Sequence, residues 1–346
     1  MNTPKPRAAT RQSQARHIAL LTLFYGAAAC SGPAPAIAAG DAVAEDTAAA
    51  DAPSNALVGD DAAGDVGTDQ DQGDAALSWP LPPPSTVGGK RPAAVRVPKD
   101  YAAKSPRPVV ILLGGYDYLA QDLDDWLRVT ERVDTDGFVL VLPDGLIDSD
   151  GSPFWNATDS CCDWDDTGVD DVGYLLGLLD ELATKVRIDP KRVALLGHSA
   201  GGFMAYRLAC EAPHRFSAVV SIAGSGHLDP TVCQAKLPVS LLQVHGQLDD
   251  VMPIDGDEDA PSARTMLTRW GQRAGCTPSS WGADAVKLEH ADDGVADETE
   301  VFRYTAGCAP GIDVRFWRMA GNGHYPEFRP VFTAKSLAWA LAQQRL

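Results

Sequence analysis

Six short apolar runs rich in β-branched residues punctuate this 346-residue chain, at 108–113, 138–142, 193–196, 218–223, 239–245 and 312–317. Apolar, β-branched runs of this length read as strands. Helical stretches separate the runs, and that alternation implies a mostly parallel sheet with helices on both faces. Between the second and third runs, Val172, Leu175, Leu176, Leu179 and Leu182 recur at helical spacing, with Asp170 placed to cap the first turn. Leu123, Trp126 and Leu127, with Gly137 beyond them, mark an earlier helix, and 331–343 a last one. No internal repeat is visible.

Fold reasoning starts near residue 90. The first 30 residues hold four Lys or Arg and no acid, whereas 31–89 hold ten acids and no Lys or Arg. Residues 18–29 form an uncharged apolar run too short to span a bilayer, so 1–29 reads as a signal peptide. Its end, Ala27-Ala28-Ala29-Cys30-Ser31, resembles the bacterial lipobox, with Ala27 in place of the usual Leu. That motif predicts lipidation of Cys30 and attachment to a membrane. Cleavage after Ala36 or Ala38 would instead release a secreted protein. Residues 30–89, rich in Ala, Gly, Asp and Pro, carry too little large apolar surface to offset chain entropy. They are expected to form a disordered acidic tether, leaving 90–346 as one α/β domain, expected to be monomeric. The formal net charge of −18 offers phosphate no attraction, which argues against a nucleic-acid partner.

Six cysteines follow Cys30, at spacings that fit no zinc pattern and with no His-rich cluster beside them, so no metal is expected. In an exported chain an even count suggests disulfides. Cys210 and Cys233 bracket one connection, and Cys276 and Cys308 another; each is expected to close. Cys161 and Cys162 are then left as a vicinal bridge or as free thiols.

The chemistry concentrates after the third run, at Gly197-His198-Ser199-Ala200-Gly201-Gly202, ahead of the helix-compatible 203–209. This is G-x-S-x-G at a strand-to-helix turn, which forces the serine outward and aims the helix N-terminus, through the Ala200 N–H, at a developing oxyanion. A serine hydroxyl needs a base to take its proton and an acid to orient that base. The fifth and sixth runs lead into loops carrying Asp249 and His324, each just past a strand end, in the order serine, acid, histidine. Asp250 would project differently. His198 sits inside the elbow as a packing or pocket residue, His245 precedes the acid, and His214, His227 and His290 lie in polar connections. The long loop through Trp155, Asn156 and Trp164 stands where ligand contact is reasonable, with a core-capping role for Trp155 as the alternative. Asp148-Ser149-Asp150-Gly151 reads as an ordinary turn rather than a calcium loop.

From residue 91 to 346 the chain resembles the polyhydroxybutyrate depolymerase and feruloyl esterase group of exported α/β-hydrolases. The matching segments are 108–115, 142–145, 154–158 with Cys161-Cys162, 169–175, the Ser199 elbow, 245–253 and the His324 loop. The resemblance implies the α/β-hydrolase fold, with Ser199 as nucleophile, Asp249 as orienting acid and His324 as general base. Where that group usually has His-Gly after its first core strand, this chain has Gly114-Gly115. The second oxyanion donor, a backbone N–H, is assigned to Tyr116. The expected function is therefore an exported serine esterase that needs no cofactor. Its substrate would be a small or oligomeric ester: a polyhydroxyalkanoate oligomer, a feruloyl or acetyl ester of a plant polysaccharide, or a simpler ester. Other readings are a serine peptidase on the same fold and a surface binding protein without catalysis.

Overall fold

The computed structural model describes residues 82–102, 106–285 and 287–345. The signal peptide, Cys30 and nearly all of the tether lie outside the described residues. All six apolar runs become strands: β3 (Arg107–Leu113), β4 (Val139–Leu142), β7 (Ile188–His198), β8 (Ala218–Ile222), β9 (Ser240–Gly246) and β12 (Val314–Met319). They lie side by side in the order β4-β3-β7-β8-β9-β12, every ladder among them parallel. Antiparallel strands extend the sheet at both edges. β1 (Thr86–Val87) and β2 (Ala93–Arg96) continue beyond β4, while β11 (Thr299–Tyr304) and β10 (Trp281–Ala283) continue beyond β12. A hairpin of β5 (Leu146–Ile147) and β6 (Pro153–Phe154) stands apart from the main sheet.

Alternation along β3 shows why the run 108–113 is apolar throughout. Val109, Ile111 and Leu113 pack with α2 (Asp171–Lys185), α3 (Ala200–Glu211) and α4 (Ala263–Arg273) on one face. Val110 and Leu112 pack with α1 (Ala120–Leu127) and α5 (Pro330–Ala342) on the other. In α2 the Asp170 carboxylate caps the first turn, accepting from the Gly173 N–H at 2.7 Å. Leu175, Leu178, Leu179 and Leu182 are buried, each contributing about 2 kcal/mol by removal from water. Leu178 thus completes the stripe, and Leu176 lies at its half-buried margin. Among the described residues no helix is long and apolar enough to cross a membrane.

Cys210 pairs with Cys233 and Cys276 with Cys308, closing the two expected connections, and Cys161 pairs with its neighbour Cys162. The first bridge ties the end of α3 to the connection after β8; the second ties the residues after α4 to the connection between β11 and β12.

Candidate active site

β7 ends at His198, and the chain turns at Ser199 with φ 53° and ψ −122° before α3 begins at Ala200. A non-glycine residue with positive φ is strained, and tertiary contacts hold this one: the Ser199 N–H donates to the Ile222 carbonyl at 2.9 Å. The motif's glycines have a direct steric reason. A Cβ on Gly201 would stand 2.1 Å from the Leu113 carbonyl oxygen and 2.5 Å from that of Gly114, so only glycine lets α3 start against the end of β3. As the first residue of α3, Ala200 has an N–H with no partner inside the helix.

Acid and base descend from neighbouring strands. β9 and β12 pair in parallel with Gly246 opposite Met319, so their following loops emerge together. A Cβ on Gly246 would meet the Gly323 carbonyl oxygen at 2.3 Å, and the Leu248 N–H donates to the Asn322 carbonyl at 2.8 Å. This contact brings His324 Nδ1 to 2.8 Å from Asp249 Oδ2 and 3.0 Å from Oδ1. The carboxylate is further satisfied by the N–H groups of Val251 and Met252, at 3.0 and 2.8 Å, and His245 Nε2, which donates to the Met252 carbonyl at 2.8 Å, also lies 3.3 Å from Oδ2. Burial opposes its charge, but the hydrogen bonds from His245 and His324 outweigh burial and hold the carboxyl well below the usual carboxylate range. With Nδ1 donating to a carboxylate, His324 keeps its lone pair on Nε2, which is buried and has no hydrogen-bond partner among the described residues. The His324 ring centroid lies 4.7 Å from that of His198, the residue preceding Ser199. The structure therefore pairs Asp249 with His324 at the carboxyl ends of the neighbouring strands β9 and β12 and sets Ser199 at the carboxyl end of β7, two strands from β9, with the ring of His198 between the elbow and His324. That arrangement can take a proton from a hydroxyl and return it to a leaving group.

The loop after β3 carries Tyr116, whose hydroxyl donates to Asp148 Oδ2 at 2.5 Å. Burial, followed by that acidic partner, pushes the phenol well above its ordinary range. Asp148 Oδ1 accepts from the N–H groups of Asp150 and Ser152, the plain turn expected of this segment. Together with the Asp117 N–H donating to the Pro153 carbonyl at 3.0 Å, these bonds fasten the loop to the β5-β6 hairpin.

Two of the expected substrate contacts are corrected. Trp155 is only 1 % exposed, with Nε1 donating to the Gly114 carbonyl at 3.0 Å, so it is a core residue that braces the loop after β3. His198 is fully buried with both ring nitrogens occupied, one by Tyr118 Oη and the other by the His324 carbonyl, leaving no edge for a substrate. Asn156 is a bracket: its side-chain amide donates to the Val169 carbonyl at 2.9 Å and its N–H to Asp171 at 2.8 Å. It also borders an open cavity of about 430 Å³ shared with Asp159, Asp163 and the half-exposed Trp164. Sequence reasoning missed Tyr118, Tyr325 and the supporting role of His245. Only the position of His245 four residues before the acid offered a signal.

Comparison with known proteins bears on the fold and the family. A structural likeness to an acetyl xylan esterase from Aspergillus awamori has a TM-score of 0.51 at 13 % identity, covering 72 % of this chain and 93 % of that one; it shows the α/β-hydrolase fold. "Putative esterase NocK" of Nocardia uniformis subsp. tsuyamanensis is 30 % identical over 45 % of this chain and 44 % of its own length. The bifunctional acetylxylan esterase/xylanase XynS20E of Neocallimastix patriciarum is 26 % identical over 69 % of this chain and 31 % of its own. "Probable feruloyl esterase C" of Aspergillus niger is 25 % identical over 55 % and 64 % respectively. The chain thus spans less than half the length of the first two. The family model described as "Putative esterase" matches residues 85–337, a span that takes in the elbow, the acid loop and the base loop. Because that match spans well over half of its length, the chain belongs to this esterase family.

Proposed function

We propose that the protein is an exported serine esterase acting on carboxylic esters through an acyl-enzyme. The observation that carries this reading is His324: Nδ1 held by the Asp249 carboxylate, Nε2 free, its ring packed beside the elbow of Ser199. Ser199 Oγ attacks the ester carbonyl while His324 Nε2 takes its proton. The N–H groups of Ala200 and Tyr116 receive the oxyanion, and the protonated imidazole, stabilised by Asp249, returns its proton to the departing alcohol. Water then enters, His324 deprotonates it, and the acyl group leaves as a carboxylic acid. The relatives' names favour an acetyl or feruloyl ester of a polysaccharide. Three cysteine pairs, together with the apolar N-terminal run, favour an oxidising compartment outside the cytoplasm.

A fluorophosphonate probe tests the reading: it should label wild type and leave Ser199→Ala unlabelled. A hydrolysis panel of methyl ferulate, acetylated xylan and 3-hydroxybutyrate oligomers then separates the substrate classes. Absence of labelling in a folded wild type would overturn the serine mechanism.

A further inference from the structure

We infer that Tyr118 and His198 form a one-way hydrogen-bond chain that positions His324 relative to both Ser199 and the loop of Tyr116. The inference rests on the catalytic reading of Ser199 and His324 given above.

The direction of each bond follows from elementary donor and acceptor chemistry. His198 Nε2 lies 2.9 Å from the His324 carbonyl oxygen, which can only accept, so Nε2 carries the proton. In the neutral ring Nδ1 is then a lone pair, and the group against it is Tyr118 Oη, which must donate. The sequence of bonds is Tyr118 O–H to His198 Nδ1, then His198 Nε2–H to the His324 carbonyl. No member can be reversed without leaving two donors or two acceptors face to face.

The neighbours hold this arrangement in place. Tyr118, His198 and His324 are all buried, and burial, with His324 beside it, drives His198 strongly toward its neutral form. Trp126 meets the His198 ring edge-on with centroids 5.0 Å apart, and Tyr325 packs at 5.1 Å, so the imidazole has no room to swing. Gly115 fits the same device. A Cβ on Gly115 would lie 2.4 Å from Tyr118 Cε1 and 2.5 Å from its oxygen, so the glycine is what lets the phenol lie flat and reach His198.

The chain's ends give it meaning. It begins in the loop that carries the assigned oxyanion donor, passes through the residue immediately before the nucleophile, and ends on the main chain of the base. The loops after β3 and β12 and the end of β7 are thereby tied at one buried point, where a missing bond cannot be replaced by water. A displacement of about 1 Å at a reacting group can reduce the rate on the order of a hundredfold. Tyr118 and His198 touch no reacting atom; they are positioning residues.

Three variants and one spectrum test this. Tyr118→Phe should lower kcat about tenfold, the scale of one buried hydrogen bond, with KM nearly unchanged. His198→Leu should lower it about a hundredfold, whereas His198→Gln, which can still donate to the His324 carbonyl, should recover most of the loss. The rate of Ser199 phosphonylation by a fluorophosphonate should fall by the same factors, at melting temperatures close to wild type. Independently of activity, nitrogen–proton NMR of the wild-type histidine rings should find the His198 proton on Nε2. A proton on Nδ1 overturns the inference even if every variant fails to fold. So does an unchanged kcat and phosphonylation rate in folded Tyr118→Phe and His198→Leu beside an inactive Ser199→Ala. Retained activity in Ser199→Ala overturns the catalytic reading instead, and the positioning role with it.

Discussion

Replacing Asp249 by Asn changes the proton on His324 while leaving the shape of the site nearly intact. In the wild type, Asp249 Oδ1 accepts from the Val251 and Met252 N–H groups at 3.0 and 2.8 Å, and Oδ2 faces His324 Nδ1 at 2.8 Å. An amide has one acceptor oxygen, and two backbone donors claim it at the Oδ1 position. The amide nitrogen is then turned toward His324, where it can only donate. Nδ1 must accept, so the proton moves to Nε2, and an imidazole protonated there cannot receive the proton of Ser199. Flipping the amide would restore the useful tautomer but break both backbone bonds in a buried site, at about 1 to 3 kcal/mol for each orphaned donor. The wrong tautomer therefore prevails. In a Ser-His-Asp triad that error lowers kcat by about 10⁴, or about 5.4 kcal/mol in the barrier. Steady-state hydrolysis of a short-chain aryl ester at neutral pH, run beside thermal denaturation, measures it. The expected result is kcat down by about four orders of magnitude with KM little changed. A folded Asp249→Asn protein with kcat within about tenfold of wild type would refute the tautomer argument.

Ser199→Ala and His324→Ala should each lower kcat by several orders of magnitude, and the double variant should be little worse than either, because the groups act as a unit; additive losses would show otherwise. The Asp249 carboxyl, held below its usual range in the folded protein, contributes stability that is present above the unfolded value of ~3.9 and lost as pH falls through the lower folded value. Denaturation midpoints from pH 6 downward should accordingly fall more steeply for wild type than for Asp249→Asn; parallel curves would disprove the linkage. The Cys210–Cys233 and Cys276–Cys308 bridges close separations of 23 and 32 residues and should contribute roughly 3 to 4 kcal/mol each in the chain-entropy model. A non-reducing peptide map should recover both pairs, and reduction should lower the melting temperature. If Cys30 is the lipidated N-terminus, wild type should partition with membranes and Cys30→Ser should not. A mature protein beginning at Ile37 or Ala39 would sink that expectation.

What the sequence determined by itself was whatever one-dimensional patterning can express. Six apolar runs alternating with helical stretches demanded a mostly parallel sheet covered on both faces, and they became the six parallel strands at its centre. Gly197, Ser199 and Gly201 are spaced for a turn that only small residues allow, and Asp249 and His324 each follow a strand end, so the candidate triad was legible from local pattern and chain order. The edge strands β1, β2, β10 and β11 were not, because they are short or half-buried and their pairing depends on a neighbour already being in place. Whether Trp155 and His198 meet substrate or core stayed open for the same reason. An aromatic ring in a loop and a histidine in a motif look alike whether they face solvent or core, and only the packing of Gly114 behind one and Tyr118 behind the other decided it. Tyr118, His198 and His324 are separated by 80 and 126 residues along the chain. No period or motif relates such positions; the closeness of two loops and the end of β7 at one end of a parallel sheet does, and that closeness exists only in the folded chain.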